Sequence, residues 1–335
     1  MKRFQIQSKY FDLSLKYLIM ITLASLMMAC GGTKENKENA NDSTKSDATT
    51  ATNKANENFT PANLKSDKEL YNYEEYEGLD KALKEPEKVF RLSLKDAGLK
   101  TLPESIAKLK NVQSLSLDLN PDLDMKQALG LLAQLPNLQE LSLSDDSLKT
   151  LPEEIKKLTN LHSIWLDNNP KLNFAQAFTV LSELPNLRDI SLIVNDLPSL
   201  PQEIVKLKNL KKLAVSYNKF KVLPQGFSQL QNLEFVDLSF NENLDAAKAI
   251  EEVAKIKTLK YLYMSKNNIE TIPNNIAKLE NLETLFLNNN PFKTLPFAMK
   301  KLTKLKTLSI LSNKLEPPAL MGLDQLFTQK VQILK

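Results

Sequence analysis

The sequence predicts an α/β solenoid: a curved stack of short coils whose strands line up as one parallel sheet on the concave side. Three observations predict it. The pattern L-x-x-L-x-L-x-x-N recurs ten times, starting at Val89, Val112, Leu138, Leu161, Leu187, Leu210, Leu233, Leu259, Leu282 and Leu305, at spacings of 23 or 26 residues. A period of that length marks a coil that cannot bury its apolar side alone and is completed by its neighbours. Within each coil two apolar residues stand two apart, as in Leu92 and Leu94 or Leu141 and Leu143, the spacing of one strand face turned to a core. The segment that follows each strand then comes in two kinds, one extended and one with a helical rhythm.

Ahead of the repeats, Lys2, Arg3, Lys9 and Lys16 precede an apolar run from Tyr17 to Ala29. That layout is a signal peptide, and the run is too short to span a bilayer core of about 30 Å. The end of the run, Leu26-Met27-Met28-Ala29-Cys30, resembles the bacterial lipoprotein box. The resemblance implies a signal peptide over 1–29, a lipidated Cys30 as mature N-terminus, and a place in the bacterial cell envelope at the outer membrane. It also implies that the membrane is touched through the lipid anchor alone. Residues 30–66 hold little but Asn, Thr, Lys, Glu and Ala, with Phe59 the one large hydrophobe between 33 and 63. Such a stretch predicts a disordered tether, and a coil of roughly 35 residues spans about 30–35 Å.

Residues 67–88 predict an N-terminal helical cap with Leu79, Ala82 and Leu83 on one side, stopped at Pro86. The repeats fill 89–315. Six coils of the short kind carry Leu-Pro or Ile-Pro at one offset: Leu102-Pro103, Leu151-Pro152, Leu200-Pro201, Leu223-Pro224, Ile272-Pro273 and Leu295-Pro296. Three long coils replace it with a helical spacing of apolar residues, as in Ala128, Leu129, Leu132 and Leu135, and predict helices on the convex side. The Asn column, running from Asn120 through Asn169, Asn195, Asn218, Asn241, Asn267 and Asn290 to Asn313, predicts an inward polar ladder, which Ala97 and Asp146 interrupt. Residues 316–335 predict a C-terminal cap with a last strand near Val331.

The short LxxLPxxIxxLxNL units resemble the Ras-suppressor-like class of leucine-rich repeat, over 89–315 and, with the final cap, to about 335. The resemblance implies a horseshoe whose concave sheet binds proteins or, less often, other ligands. It specifies the fold and leaves the partner open.

Composition narrows the function. One Cys and one His in 335 residues leave no set for a disulfide, a Cys/His metal centre or a Cys–His nucleophile, so neither cofactor nor metal is expected. Net charge is +4, and without residues 1–29 the chain carries +1, which disfavours nucleic acid as a partner. His162, beside Ser163 and near Asp189, is read as a plain surface histidine and not as part of a hydrolytic set, because no Gly-flanked nucleophile turn accompanies it. The expected work is therefore non-catalytic binding. The residues between the apolar pairs face out, and stacked coils turn them into columns. Aromatics gather in the seventh to ninth repeats, where Phe235, Tyr261, Tyr263 and Phe286 are expected to touch, with Tyr217 and Phe240 at the far end of the strands. Exposed aromatics on a rigid sheet suit a protein partner. The alternative is a glycan or peptidoglycan stacked on the same strip. Nearer the N-terminus, Trp165 stands as an anchor among Asp118, Glu140, Asp145, Asp167 and Asp189, carboxylates expected to be solvated.

Overall fold

The structure, a computed structural model, describes residues 64–335. The expected signal peptide, Cys30 and the tether up to residue 63 lie outside them. Twelve parallel strands form one sheet in sequence order: β1 (Glu75–Glu77), β2 (Arg91–Ser93), β3 (Ser114–Ser116), β4 (Glu140–Ser142), β5 (Ser163–Trp165), β6 (Asp189–Ser191), β7 (Lys212–Ala214), β8 (Phe235–Asp237), β9 (Tyr261–Tyr263), β10 (Thr284–Phe286), β11 (Thr307–Ser309) and β12 (Gln332–Leu334). Ten belong to the ten repeats. The first and last are contributed by the caps, and β1 was not foreseen.

Register is unshifted from coil to coil, with Leu92 opposite Leu115 and Leu141 opposite Ile164. The middle residue of each strand in the repeats points into a continuous core and is almost fully buried. Backbone bonding follows one rule throughout. Alternate positions, among them the core-side residues of each strand, bond forward, as when Phe90 C=O accepts from Gln113 and Ser114 N–H, and Leu94 N–H donates to Ser116 C=O. The outward positions of a strand therefore bond back to the preceding coil.

The Asn column forms the expected ladder. Asn218 Nδ2 donates to the carbonyls of Leu192, Val215 and Ser216 at 2.9, 3.0 and 3.2 Å, and its Oδ1 accepts from Asn195 and Leu197 N–H, both at 3.1 Å. These bonds hold a backbone turn that the column before it requires. Leu119, Asp145, Asn168, Val194, Tyr217, Phe240, Lys266, Asn289 and Ser312 all have φ between 50° and 61°, a left-handed conformation rare for non-glycine residues. Asp146 does not interrupt the ladder: its Oδ1 accepts Asn120 N–H at 2.8 Å, as an Asn would. A second ladder was missed. In seven of the ten coils an Asn stands just before the first apolar residue and donates to the preceding coil, as from Asn137 to Lys110 C=O, Asn160 to Pro136 C=O and Asn209 to Pro185 C=O. Its signal, a recurrent x-N-L, was visible in the sequence.

The long coils form helices at Met125–Leu132, Phe174–Leu181 and Ala246–Val253, capped by Asp124, Asn173 and Asp245. The short coils turn through 3-10 segments such as Glu104–Lys108. A helix about 10 Å across is wider than the strand spacing of about 4.8 Å, which favours a stack that opens on the helical side.

At the N-terminal end, the cap is more than one helix: Asp67–Leu70 and Leu79–Ala82 flank β1. Ser66 caps the first of these helices through a reciprocal pair with Glu69. Residues 64–66, expected in the tether, are already bonded to the repeats, since Lys65 N–H donates to Gln113 Oε1 at 2.8 Å and Lys65 C=O accepts from Gln113 Nε2 at 3.0 Å. The C-terminal cap carries helices Pro317–Met321 and Leu323–Leu326 before β12.

Candidate functional site

The outward residues of twelve short strands make one solvent face with two chemically distinct halves. In the C-terminal half, Tyr263 on β9 links its neighbours: its ring meets Phe235 edge-on at 5.1 Å and stacks on Phe286 at 4.3 Å. One coil apart and in register, these rings meet because strand spacing sets them at contact distance. Tyr261 stands half-buried, with no ring contact among the described residues. The expected four-ring contact is therefore a three-ring one.

Exposure sorts the cluster further. Phe235 and Tyr263 are 6% and 4% exposed, because each is shielded by the rings beside it, so they stiffen the sheet and offer little to a partner. Phe286 and Tyr261 remain half-buried. At the far end of the strands, Tyr217 and Phe240 stack at 3.9 Å, and Lys266 Nζ lies over the Phe240 ring at 5.2 Å. The left-handed turn brings this pair together, since it aims the same position of successive coils out at the rim.

The N-terminal half is acidic and hydroxyl-rich, with Trp165 half-buried on β5. Its carboxylates are not simply solvated. Asp118 Oδ1 accepts from Ser142 Oγ at 2.5 Å and Ser144 N–H at 2.8 Å, and Asp167 Oδ1 accepts from Ser191 Oγ at 2.6 Å and Ile193 N–H at 2.7 Å. Asn288 repeats the arrangement with Ser309 and Leu311, so these groups are cross-ties between coils. Burial pushes the Asp118 and Asp145 carboxyls up, and brings Asp167 to about 7. Asp237, wholly buried between Ala214 and Tyr263 on the neighbouring strands, is pushed up by the same cause.

His162 is not a surface residue; it is 9% exposed. It lies just before β5, outside the alternation of the strand, so its Nδ1 approaches Ser163 Oγ at 3.0 Å while Nε2 lies 3.3 Å from Gln139 Oε1. Ser163 Oγ donates to Asp189 Oδ2 at 3.4 Å. Ser163 Oγ thus lies between the imidazole and the Asp189 carboxylate, which is not the order in which a carboxylate orients a base that activates a serine. Replacing His162 with Ala should lower stability by about 1–2 kcal/mol and leave binding unchanged; a binding loss in a variant with wild-type circular dichroism would assign it a contact role. Among the described residues no group of three or more His, Cys, Asp or Glu side chains could hold a metal ion. At the strands' entry edge, a groove of about 530 Å³ runs past Asn137, Asn160, Asn186, Asn209 and Asn232, with Arg188 and Lys211 beside it. Sequence reasoning did not anticipate this groove.

Comparison with known proteins agrees with this architecture. Residues 235–331 match a leucine-rich repeat region and residues 185–242 match a leucine rich repeat. No curated protein sequence matches the chain. Among solved structures, the chain is similar to an internalin from Listeria monocytogenes, with 22% identity and a TM-score of 0.56 over 77% of this chain and 70% of that one. It is also similar to TLR13 in the TLR13–ssRNA13 complex, with 27% identity and a TM-score of 0.55 over 74% of this chain, which spans 39% of that one. The fold is a leucine-rich repeat solenoid.

Proposed function

We propose that this leucine-rich repeat protein is a non-catalytic binding module, held in the bacterial cell envelope by a lipid on Cys30, whose concave face binds a protein. The observation that carries the reading is the half-exposed aromatic set Tyr217, Phe240, Tyr261 and Phe286 on a sheet cross-tied by buried polar ladders. Rings held rigid before binding lose little entropy when they dock, which is why such residues dominate protein interfaces. Stacking of Tyr217 on Phe240 and of Phe286 on Tyr263 covers one face of each of these rings, and a sugar needs a bare ring face; this favours protein over the glycan alternative. The RNA in the TLR13 complex does not transfer to this chain, which carries only +1 without residues 1–29 and lacks the basic excess that phosphate binding relies on.

The test is cross-linked capture from intact cells, comparing the natural chain with a variant in which Tyr217, Phe240, Tyr261 and Phe286 are all Ala. Phe235 and Tyr263 stay in place because their burial makes them part of the fold. A protein lost only from the variant identifies the partner, with affinity falling at least about 100-fold for two or more hot-spot side chains. An unchanged capture list at unchanged fold removes the aromatic face from the function. Recovery of the chain in the soluble fraction of those cells would remove the lipid anchor.

A further inference from the structure

The two ends of the stack are both open and match each other. Each terminal strand has a single neighbour, β2 for β1 and β11 for β12, so one side of each carries unpaired backbone groups among the described residues. The bonding rule of the sheet says which groups these are. Gln332 N–H donates to Lys306 C=O and Leu334 C=O accepts from Ile310 N–H, which leaves the N–H and C=O of Ile333 facing outward. On β1 the forward bonds run from Gly78 N–H to Ser93 C=O, and the outward positions Glu75 and Glu77 are left with their backbone groups facing away from β2. An Ile333 placed against Glu75 and Glu77 repeats the pairing found at every internal step, as Leu92 does against Ser114 and Ser116.

Side chains agree with the backbone. The C-terminal end exposes several apolar side chains: Met321 is 82% exposed, Leu320 38% and Leu334 36%, with Val331, Leu326 and Ile333 only partly covered. The last coil also carries Lys330 and Lys335. The first coil instead presents Glu74, Glu75, Glu77 and Asp80, of which Glu74 and Glu75 pair with Lys81 and Arg91. Two C-terminal ends brought together would oppose lysines, and two N-terminal ends would oppose carboxylates. At the terminal strands themselves, only head meeting tail sets Lys330 and Lys335 against Glu75 and Glu77.

We infer that the chain associates head to tail with a second copy of itself, β12 of one protomer pairing with β1 of its partner in the register Gln332 to Glu75, Ile333 to Tyr76 and Leu334 to Glu77. The contact is heterologous, so it extends the sheet and can repeat. It uses the ends of the stack and leaves the concave face free for the partner proposed above.

Sedimentation of the full chain reads the association, with mass expected to rise with concentration beyond the monomer. Ile333→Pro removes the outward N–H and no bond within the chain, so it should hold the mass at the monomer with unchanged circular dichroism. Glu75→Lys with Glu77→Lys, and Lys330→Glu with Lys335→Glu, should each weaken association at least tenfold, and an equimolar mixture of the two variants should restore it. In a Cys30→Ser chain, Glu75→Cys should form disulfide-linked species with Gln332→Cys. A monomer at every concentration overturns the inference, and so does an association that survives Ile333→Pro and both charge reversals.

Discussion

Replacing Asn218 with Ala should lower the unfolding free energy by about 3–5 kcal/mol, because five hydrogen bonds of about 0.5–1.5 kcal/mol each vanish together and strand their partners. The side chain is 5% exposed, so water cannot take over for the carbonyls of Leu192, Val215 and Ser216 or the N–H groups of Asn195 and Leu197. The same change also frees the left-handed turn at Tyr217, where φ is 56°, and with it the stack on Phe240. Asn209 is the comparison. It is exposed and makes one bond, to Pro185 C=O at 2.9 Å, so Asn209→Ala should lose less than about 1 kcal/mol. Urea denaturation followed by circular dichroism separates the two. Equal losses would mean that the inner column is not the principal tie between coils.

Asp146→Asn should stabilise the protein, by about 2–3 kcal/mol at pH 8.5, the scale of one buried group relieved of a missing bond. Asp146 occupies an Asn position of the ladder and is 3% exposed; Oδ1 accepts from Asn120, but Oδ2 is buried without a partner. Burial first, then the nearby charges of Asp118 and Asp145, push its carboxyl up to about 8, against the pull of the Asn120 N–H. The folded state therefore keeps a proton that the unfolded chain releases near 3.8. With the folded value above the unfolded one, stability is greatest below pH about 4, falls as pH rises to about 8, and is flat beyond. An amide does not titrate and supplies the missing donor. The gain from Asp146→Asn should accordingly be small at pH 5 and largest at pH 8.5, while Asp167, brought to about 7 by burial, leaves a residual slope in the variant. Midpoints measured in urea at both pH values decide the matter, and a gain of equal size at both would show that the carboxyl is ionised throughout.

Several elements were legible because they repeat. The Leu pairs two apart gave the strands, the Leu-Pro and helical segments gave the two kinds of return, and the Asn column gave the ladder, each confirmed by many coils obeying one spacing. Elements that occur once were harder. Strand β1 (Glu75–Glu77) has one apolar residue, Tyr76, between two glutamates, and its pairing with β2 creates it more than any local preference does. Asp146 reads as a break in a pattern of amides, because a sequence does not display whether a carboxyl is protonated.

The site divides along the same line. Sequence periodicity by itself determined the solenoid, the parallel sheet and which residues leave its face, since alternation along a strand and stacking between coils are fixed by backbone geometry. It placed Phe235, Tyr261, Tyr263, Phe286, Tyr217, Phe240 and Trp165 on or beside one surface. Only the tertiary structure decided which of them a partner could touch. Neighbouring coils bury Phe235 and Tyr263 and leave Phe286 and Tyr261 half-open, turn Asp118 and Asp167 into ties for serines of the next coil, and cover His162 beside Gln139. Exposure and proton affinity depend on what the adjacent coil places within a few ångströms, and a column assignment read from one chain of letters does not contain that distance.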